Sequence, residues 1–181
     1  FFVDTVTAEL ALRAEAVRAV DPGHPVMVHT VPMPYFNHIN ACSDEYELAA
    51  HCDLFGNSLG SHPVAAALTE TRAAGKRVMN SEIHAVGGST YNRPAMPTDA
   101  EIDRHILVPL ARGIKGFLFW QYRPETLGTE SPAWGLTDLA GAPTPWLRRA
   151  SRIAGSLRTH EGLLATAMPR SPEIAVVDGN R

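Results

Sequence analysis

The sequence has 181 residues, with Lys+Arg 16 against Asp+Glu 19, and is 45% hydrophobic and 19% charged. That balance is ordinary for a globular chain and excludes a disordered, collagen-like or low-complexity one. A net charge of −3 argues against a nucleic-acid partner or an anionic membrane surface, and no apolar run is long enough to span a bilayer.

In chain order, Val3, Val6, Leu10, Val17 and Val20 recur among Glu and Arg at helical spacing, and Asp21-Pro22-Gly23 stops that helix. Pro25 to His29 is a short apolar run, the pattern of a strand buried on both faces. A loop with Pro32, Pro34, Asn37 and Asn40 follows. Ser43 then stands where it can cap a helix through Glu45, Leu48 and Ala49. Asp53 to Gly56 reads as a strand and 63–74 as a helix ended by Gly75. Arg77 to Glu82 reads as the next strand. Thr98 with Glu101 forms a capping box for a helix over about 99–112, which Gly113 ends. Ile114 to Trp120 is the fourth strand, and Pro145 can open a helix near 144–158. That last helix carries the chain's one basic cluster, Arg148, Arg149 and Arg152.

Strands alternating with helices at this pitch mean βαβ units and a parallel sheet. An open doubly wound sheet should carry a Gly-rich phosphate turn after its first strand, and none stands there. A complete (β/α)₈ barrel takes roughly 250 residues. Four units, with long loops after strands and short ones after helices, therefore predict half a barrel. The expected organisation is 1–158 as that half-barrel, 159–172 as a linker and 173–181 as the start of another domain. The opening Phe1-Phe2 and the closing Asp178-Gly179-Asn180-Arg181 both read as cut ends of a longer chain.

Ligands meet parallel α/β folds at the C-terminal strand ends, which selects His29, Asn57, Ser58, Glu82, His84 and Trp120 through Arg123. Glu82 ends an apolar strand, where a carboxylate costs free energy unless it is paired or used. A structural role, bonded to a neighbouring Arg, is the competing reading. Glu130 is a second carboxylate, expected to overhang the same mouth, and two carboxylates flanking a sugar suit glycosidic cleavage. Trp120, Tyr122 and Arg123 offer flat faces and donors for a sugar, whereas Phe117 and Phe119 read as core. The eight His residues lack paired ligand spacing, so no metal and no cofactor are expected. Cys42 and Cys52 read as buried free thiols. Ser58 and Ser81 lack a GxSxG frame.

These residues resemble glycoside hydrolase family 42, the retaining β-galactosidases with a (β/α)₈ catalytic domain. Val20-Asp21-Pro22-Gly23-His24-Pro25-Val26 resembles the junction before that family's fifth strand, and Asp53-Leu54-Phe55-Gly56-Asn57-Ser58 its sixth. Asn80-Ser81-Glu82 resembles the seventh-strand end. Phe119 to Arg123, then Gly128-Thr129-Glu130 and Trp134-Gly135, resemble the eighth strand and its exit loop.

The resemblance implies an α/β fold comprising strands 5–8, the C-terminal half, of a TIM barrel. It implies hydrolysis of β-glycosidic bonds by double displacement, with Glu82 as nucleophile and the acid/base upstream of Phe1. Trp120, Gln121, Tyr122, Arg123, Glu130, Trp134 and Asn57 would then bind a β-galactoside or related oligosaccharide. Glu173 to Val177 would enter a flavodoxin-like trimerisation domain, which makes a homotrimer the expected state of the whole protein. Tyr122 stands where the family usually has Trp, and Ala133 or Trp134 where a His is expected. The alternatives are a non-catalytic carbohydrate-binding barrel and an unrelated TIM-barrel lyase holding phosphate at the 85–90 loop.

Overall fold

The computed structural model describes residues 1–30, 43–58, 75–84, 98–128, 130–170 and 173–174. Within them lie helix α1 (Phe2–Val20), strand β1 (Met27–Thr30), helix α2 (Glu45–Ala50), strands β2 (Leu54–Asn57) and β3 (Arg77–Ile83), helix α3 (Asp99–Ala111), strand β4 (Gly116–Phe119), and helices α4 (Pro145–Thr159) and α5 (Glu161–Thr166). The predicted 63–74 helix, the 31–42 loop with Cys42, the 85–97 loop and most of 171–181 lie outside the described residues.

The four strands are parallel and ordered β1-β2-β3-β4. Each new strand is added on the same side of the last, so the order never reverses. A doubly wound sheet needs such a reversal; a barrel does not. The chain is an α/β half-barrel of the (β/α)₈ kind.

Side chains alternate between two faces. On the helix side, Val28, Phe55 and Val78 share a register row and pack with Leu48, Ala49, Cys52, Ile114, Leu10 and Phe117. Phe55 is fully buried, worth about 2 kcal/mol against leaving it in water. The same burial pushes the Cys52 thiol pKa up. A second cluster joins Ile102, Leu136, Phe119, Trp146, Leu147 and Ile153 beneath α3 and α4. The opposite face is the barrel lumen, which carries the row His29, Gly56, Met79 and Gly116.

Several expectations are corrected. Among the described residues β1 stands at the edge of the sheet and is not buried on both faces: Met27 and His29 are exposed on the side that opens into the lumen. α1 rests on the core through Leu10 and the buried Ala14, while Val6, Val17 and Val20 stay exposed. Asp44, not Ser43, caps α2, because its Oδ1 accepts from the amides of Tyr46 and Glu47 at 2.9 and 3.4 Å. Within the 159–172 stretch, residues 161–166 are helical, with Lys115 Nζ donating to the Leu164 carbonyl at 2.6 Å.

Other local signals read as they stand. Thr98 and Glu101 form the complete capping box, Pro145 occupies the first turn of α4, and Gly113 adopts φ 99° after α3. Arg149 forks onto Asp103, with Nε to Oδ1 at 2.8 Å, and joins α4 to α3. At the foot of the sheet, the Val26 amide and then the Arg18 guanidinium hold the Asp53 carboxyl below the usual range.

Candidate active site

Strand β3 contains the feature that builds the site. Asn80 pairs with Phe117 on β4, and Ile83 pairs with Phe119, so β3 spends one more residue than its partner over that interval. This is a β-bulge, a device that re-aims a side chain. Asn80 and Ile83 are both buried, with Asn80 bonded into the helix layer. The two intervening residues, Ser81 and Glu82, therefore both face the lumen. Unbroken alternation would have sent Glu82 to the helix side with Asn80.

Contacts agree with this direction. His29, on β1, reaches Glu82 Oε2 from Nε2 at 3.1 Å and meets Ser81 Oγ through Nδ1 at 2.7 Å. His84 Nε2 meets the other carboxylate oxygen, Oε1, at 3.0 Å. Glu82 is about a third exposed, with side-chain exposure of 31%. Its partners are imidazoles, not the neighbouring Arg of the competing structural reading. Among the described residues no group of three His, Cys, Asp or Glu is arranged to hold a metal ion.

The exit from β4 folds back to support this rim. The Trp120 amide donates to the Ile83 carbonyl at 3.0 Å, placing Trp120 beside the end of β3. The Trp120–Gln121 peptide is cis. Gln121 donates its amide to the Trp134 carbonyl, and Leu136 returns a bond to Gln121, both at 2.9 Å. Trp134 is buried at φ 64°, a left-handed conformation that a bulky residue adopts only when its surroundings impose it. Its ring lies against His84, centroids 4.0 Å apart and planes at 26°. Trp134 Nε1–H donates to Glu130 Oε2 at 3.1 Å.

The predicted site residues divide accordingly. Glu82, Glu130 and Trp134 belong to one contiguous network through His84. Trp120 and Tyr122 are exposed at the β4 exit. Gln121 and Arg123 line an open hollow of about 620 Å³ with Glu125 and Leu127, which Glu82 does not line. Asn57 is corrected: it is fully buried and donates to Glu45 Oε1 at 2.9 Å in the helix layer, away from the lumen. Its register partner Thr30 faces the same way and also bonds Glu45. The 85–90 loop and Tyr91 lie outside the described residues. Sequence reasoning missed Gly56 as a partner of the site. A glycine inside a strand was the available signal, since it marks close approach of another group.

No protein-family description and no curated protein matches this sequence. Solved structures do. The chain is similar to a β-galactosidase from the psychrophilic Marinomonas ef1, with TM-score 0.71, 17% identity, 88% of this chain and 27% of that chain covered. It is similar to a β-galactosidase from Bacillus circulans sp. alkalophilus, with TM-score 0.72, 14% identity, and 91% and 25% covered. A β-D-glucuronidase from Dictyoglomus thermophilum aligns with TM-score 0.57 and 14% identity over 84% of this chain and 30% of its own. The chain thus spans about a quarter of the β-galactosidases it resembles. At such identities the likeness establishes the glycosidase barrel fold.

Proposed function

We propose that this chain contributes strands 5–8 of the catalytic barrel of a retaining β-glycosidase of the β-galactosidase kind, with Glu82 as nucleophile. The observation that carries the reading is the lumen-facing carboxylate at the end of β3, hydrogen-bonded at one oxygen by His84 Nε2 and in ion-pair contact at the other with His29 Nε2. A carboxylate held this way presents a fixed lone pair to a sugar lying in the lumen.

In this reading Glu82 attacks the anomeric carbon and the glycosidic C–O bond breaks, leaving a glycosyl-enzyme ester. A second carboxyl, about 5–5.5 Å away, protonates the departing oxygen and then takes a proton from the attacking water. That acid/base is assigned to the part of the barrel preceding Phe1. Glu130, anchored by the Trp134 indole, binds sugar hydroxyls, and Trp120 and Tyr122 cover the ring. Gln121 and Arg123 are assigned to the outer part of the substrate. Residues 1–158 would close with the preceding half, 159–172 would lead out of the barrel, and 173–181 would begin a trimerisation domain.

The test is hydrolysis of a panel of aryl β-glycosides by the complete protein and by its Glu82→Gln variant. The expected result is hydrolysis, fastest on the β-galactoside, with the β-anomer formed first and a loss on the order of 10⁴-fold in the variant. No turnover of any β-glycoside, or an unaffected variant, would remove the proposal.

A further inference from the structure

We infer that His29 is a positioning residue for Glu82, set in place by a Ser81 hydrogen bond that passes over Gly56. The inference rests on the reading of Glu82 as the reacting carboxylate. Its geometry stands independently of the substrate.

His29 Nε2 lies in ion-pair contact with Oε2 at 3.1 Å, and because a carboxylate oxygen offers only lone pairs, attraction at that distance calls for a proton on Nε2. A neutral imidazole has one N–H, which leaves Nδ1 as an acceptor. Ser81 supplies the matching donor at 2.7 Å. The hydroxyl thereby favours the Nε2–H tautomer, the one that can hold Glu82, and fixes the ring plane. His29 and Ser81 stand on β1 and β3, two strands apart, with β2 between them.

Gly56 pairs in register with His29 on one side and Met79 on the other, directly under that bond. A Cβ at position 56 would lie 2.4 Å from Ser81 Oγ, 2.9 Å from Ser81 Cβ and 3.1 Å from the Val28 carbonyl. Those atoms belong to a short side chain and to backbone, so they have little room to yield. Glycine at 56 keeps the path open. The bulge does the rest, since only there do two consecutive side chains, Ser81 and Glu82, face one imidazole.

A role confined to folding and a role in positioning predict different kinetics in the complete protein. His29→Leu, which removes the donor, should lower kcat about 10- to 100-fold, the scale of a misplaced reacting group, with KM nearly unchanged. His29→Gln returns a donor toward Oε2 and should recover most of that loss. Gly56→Ala should disturb both fold and turnover. The Gly56→Ala/Ser81→Gly double variant removes the clash, so it should regain the melting temperature without regaining kcat. An unchanged kcat in His29→Leu, or full recovery in the double variant, would overturn the inference.

A second readout needs no turnover and so separates this inference from the functional reading. Nitrogen-15 shifts of labelled histidine, assigned through His29→Gln, report which ring nitrogen is protonated. Nε2–H in the wild type, with the Nδ1 signal moving in Ser81→Ala, is expected whatever the substrate. Nδ1–H in the neutral ring, or an Nδ1 signal indifferent to Ser81→Ala, would refute it.

Discussion

Asn80 donates its side-chain amide to the backbone carbonyl of His105 at 3.0 Å. The partner that carbonyl would find in an uninterrupted helix is the N–H four residues on, and that residue is Pro109, inside α3. Proline has no N–H to give, so β3 supplies the donor, two residues before Glu82. The strand that carries the candidate nucleophile is in this way bolted to its covering helix.

Removing that bond should cost stability. Asn80→Ala leaves a buried carbonyl without this donor, a loss of about 1–3 kcal/mol. Asn80→Asp should not rescue it, because an ionised carboxylate has nothing to donate. Pro109→Ala, which restores a helical N–H, should recover part of the loss in the double variant. Chemical denaturation of the four proteins measures the coupling, and strictly additive losses would dismiss it.

The Trp134 indole joins Glu130 to the His84 ring. Trp134→Phe keeps a ring for His84 but drops the donor to Glu130, so it should raise KM for glycoside substrates more than it lowers kcat. Trp134→Ala should add a stability loss of about 3–5 kcal/mol, the range for truncating a buried large aromatic. A KM in Trp134→Phe equal to that of the wild type would separate Glu130 from sugar binding.

The loop behind Trp134 is equally constrained. A Cβ on Gly135 would sit 2.3 Å from Pro124 Cδ and 2.7 Å from the Thr137 carbonyl. Gly135→Ala should therefore push 121–124 away from 134–137 and destabilise the protein by about 1–3 kcal/mol, as overpacking does. A melting temperature within one degree of wild type, on the order of experimental scatter, would show that the loop absorbs the methyl group.

Acid stability follows from the α3–α4 clamp. The Arg149 guanidinium holds the Asp103 carboxyl below the usual carboxylate range, and Asp103 keeps Arg149 charged to still higher pH. A depressed carboxyl contributes stability that is complete above its unfolded pKa and disappears as pH falls through the folded one. The wild type should melt higher than Asp103→Asn at neutral pH, and the gap should close below about pH 4, the ordinary Asp range. A gap that persists undiminished into strong acid would contradict the assignment.

Much of the fold was legible because its signals are local. Apolar runs bounded by Gly and Pro marked the strands. Thr98 with Glu101 and the proline at 145 marked helix starts. The nonlocal features escaped. The bulge exists only in the pairing of β3 with β4, so Glu82's face could not be read from β3 alone. Asn57 ends a strand like a site residue, yet it stands two residues after Phe55 and shares that residue's helix-side face, where it meets Glu45 of α2. Ser43 and Asp44 are adjacent capping residues, and only the helix's own start decides between them. The strand-end rule did select His29 and His84, but their convergence on one carboxylate is a property of three strands together.

The most direct measurement is covalent trapping. The complete protein incubated with an activated 2-deoxy-2-fluoro-β-galactoside should gain one sugar mass, and peptide mapping should place it on the Glu82 side chain. The Glu82→Gln variant should remain unlabelled. A label on any other residue, or a variant that is labelled as fast as the wild type, would contradict the account.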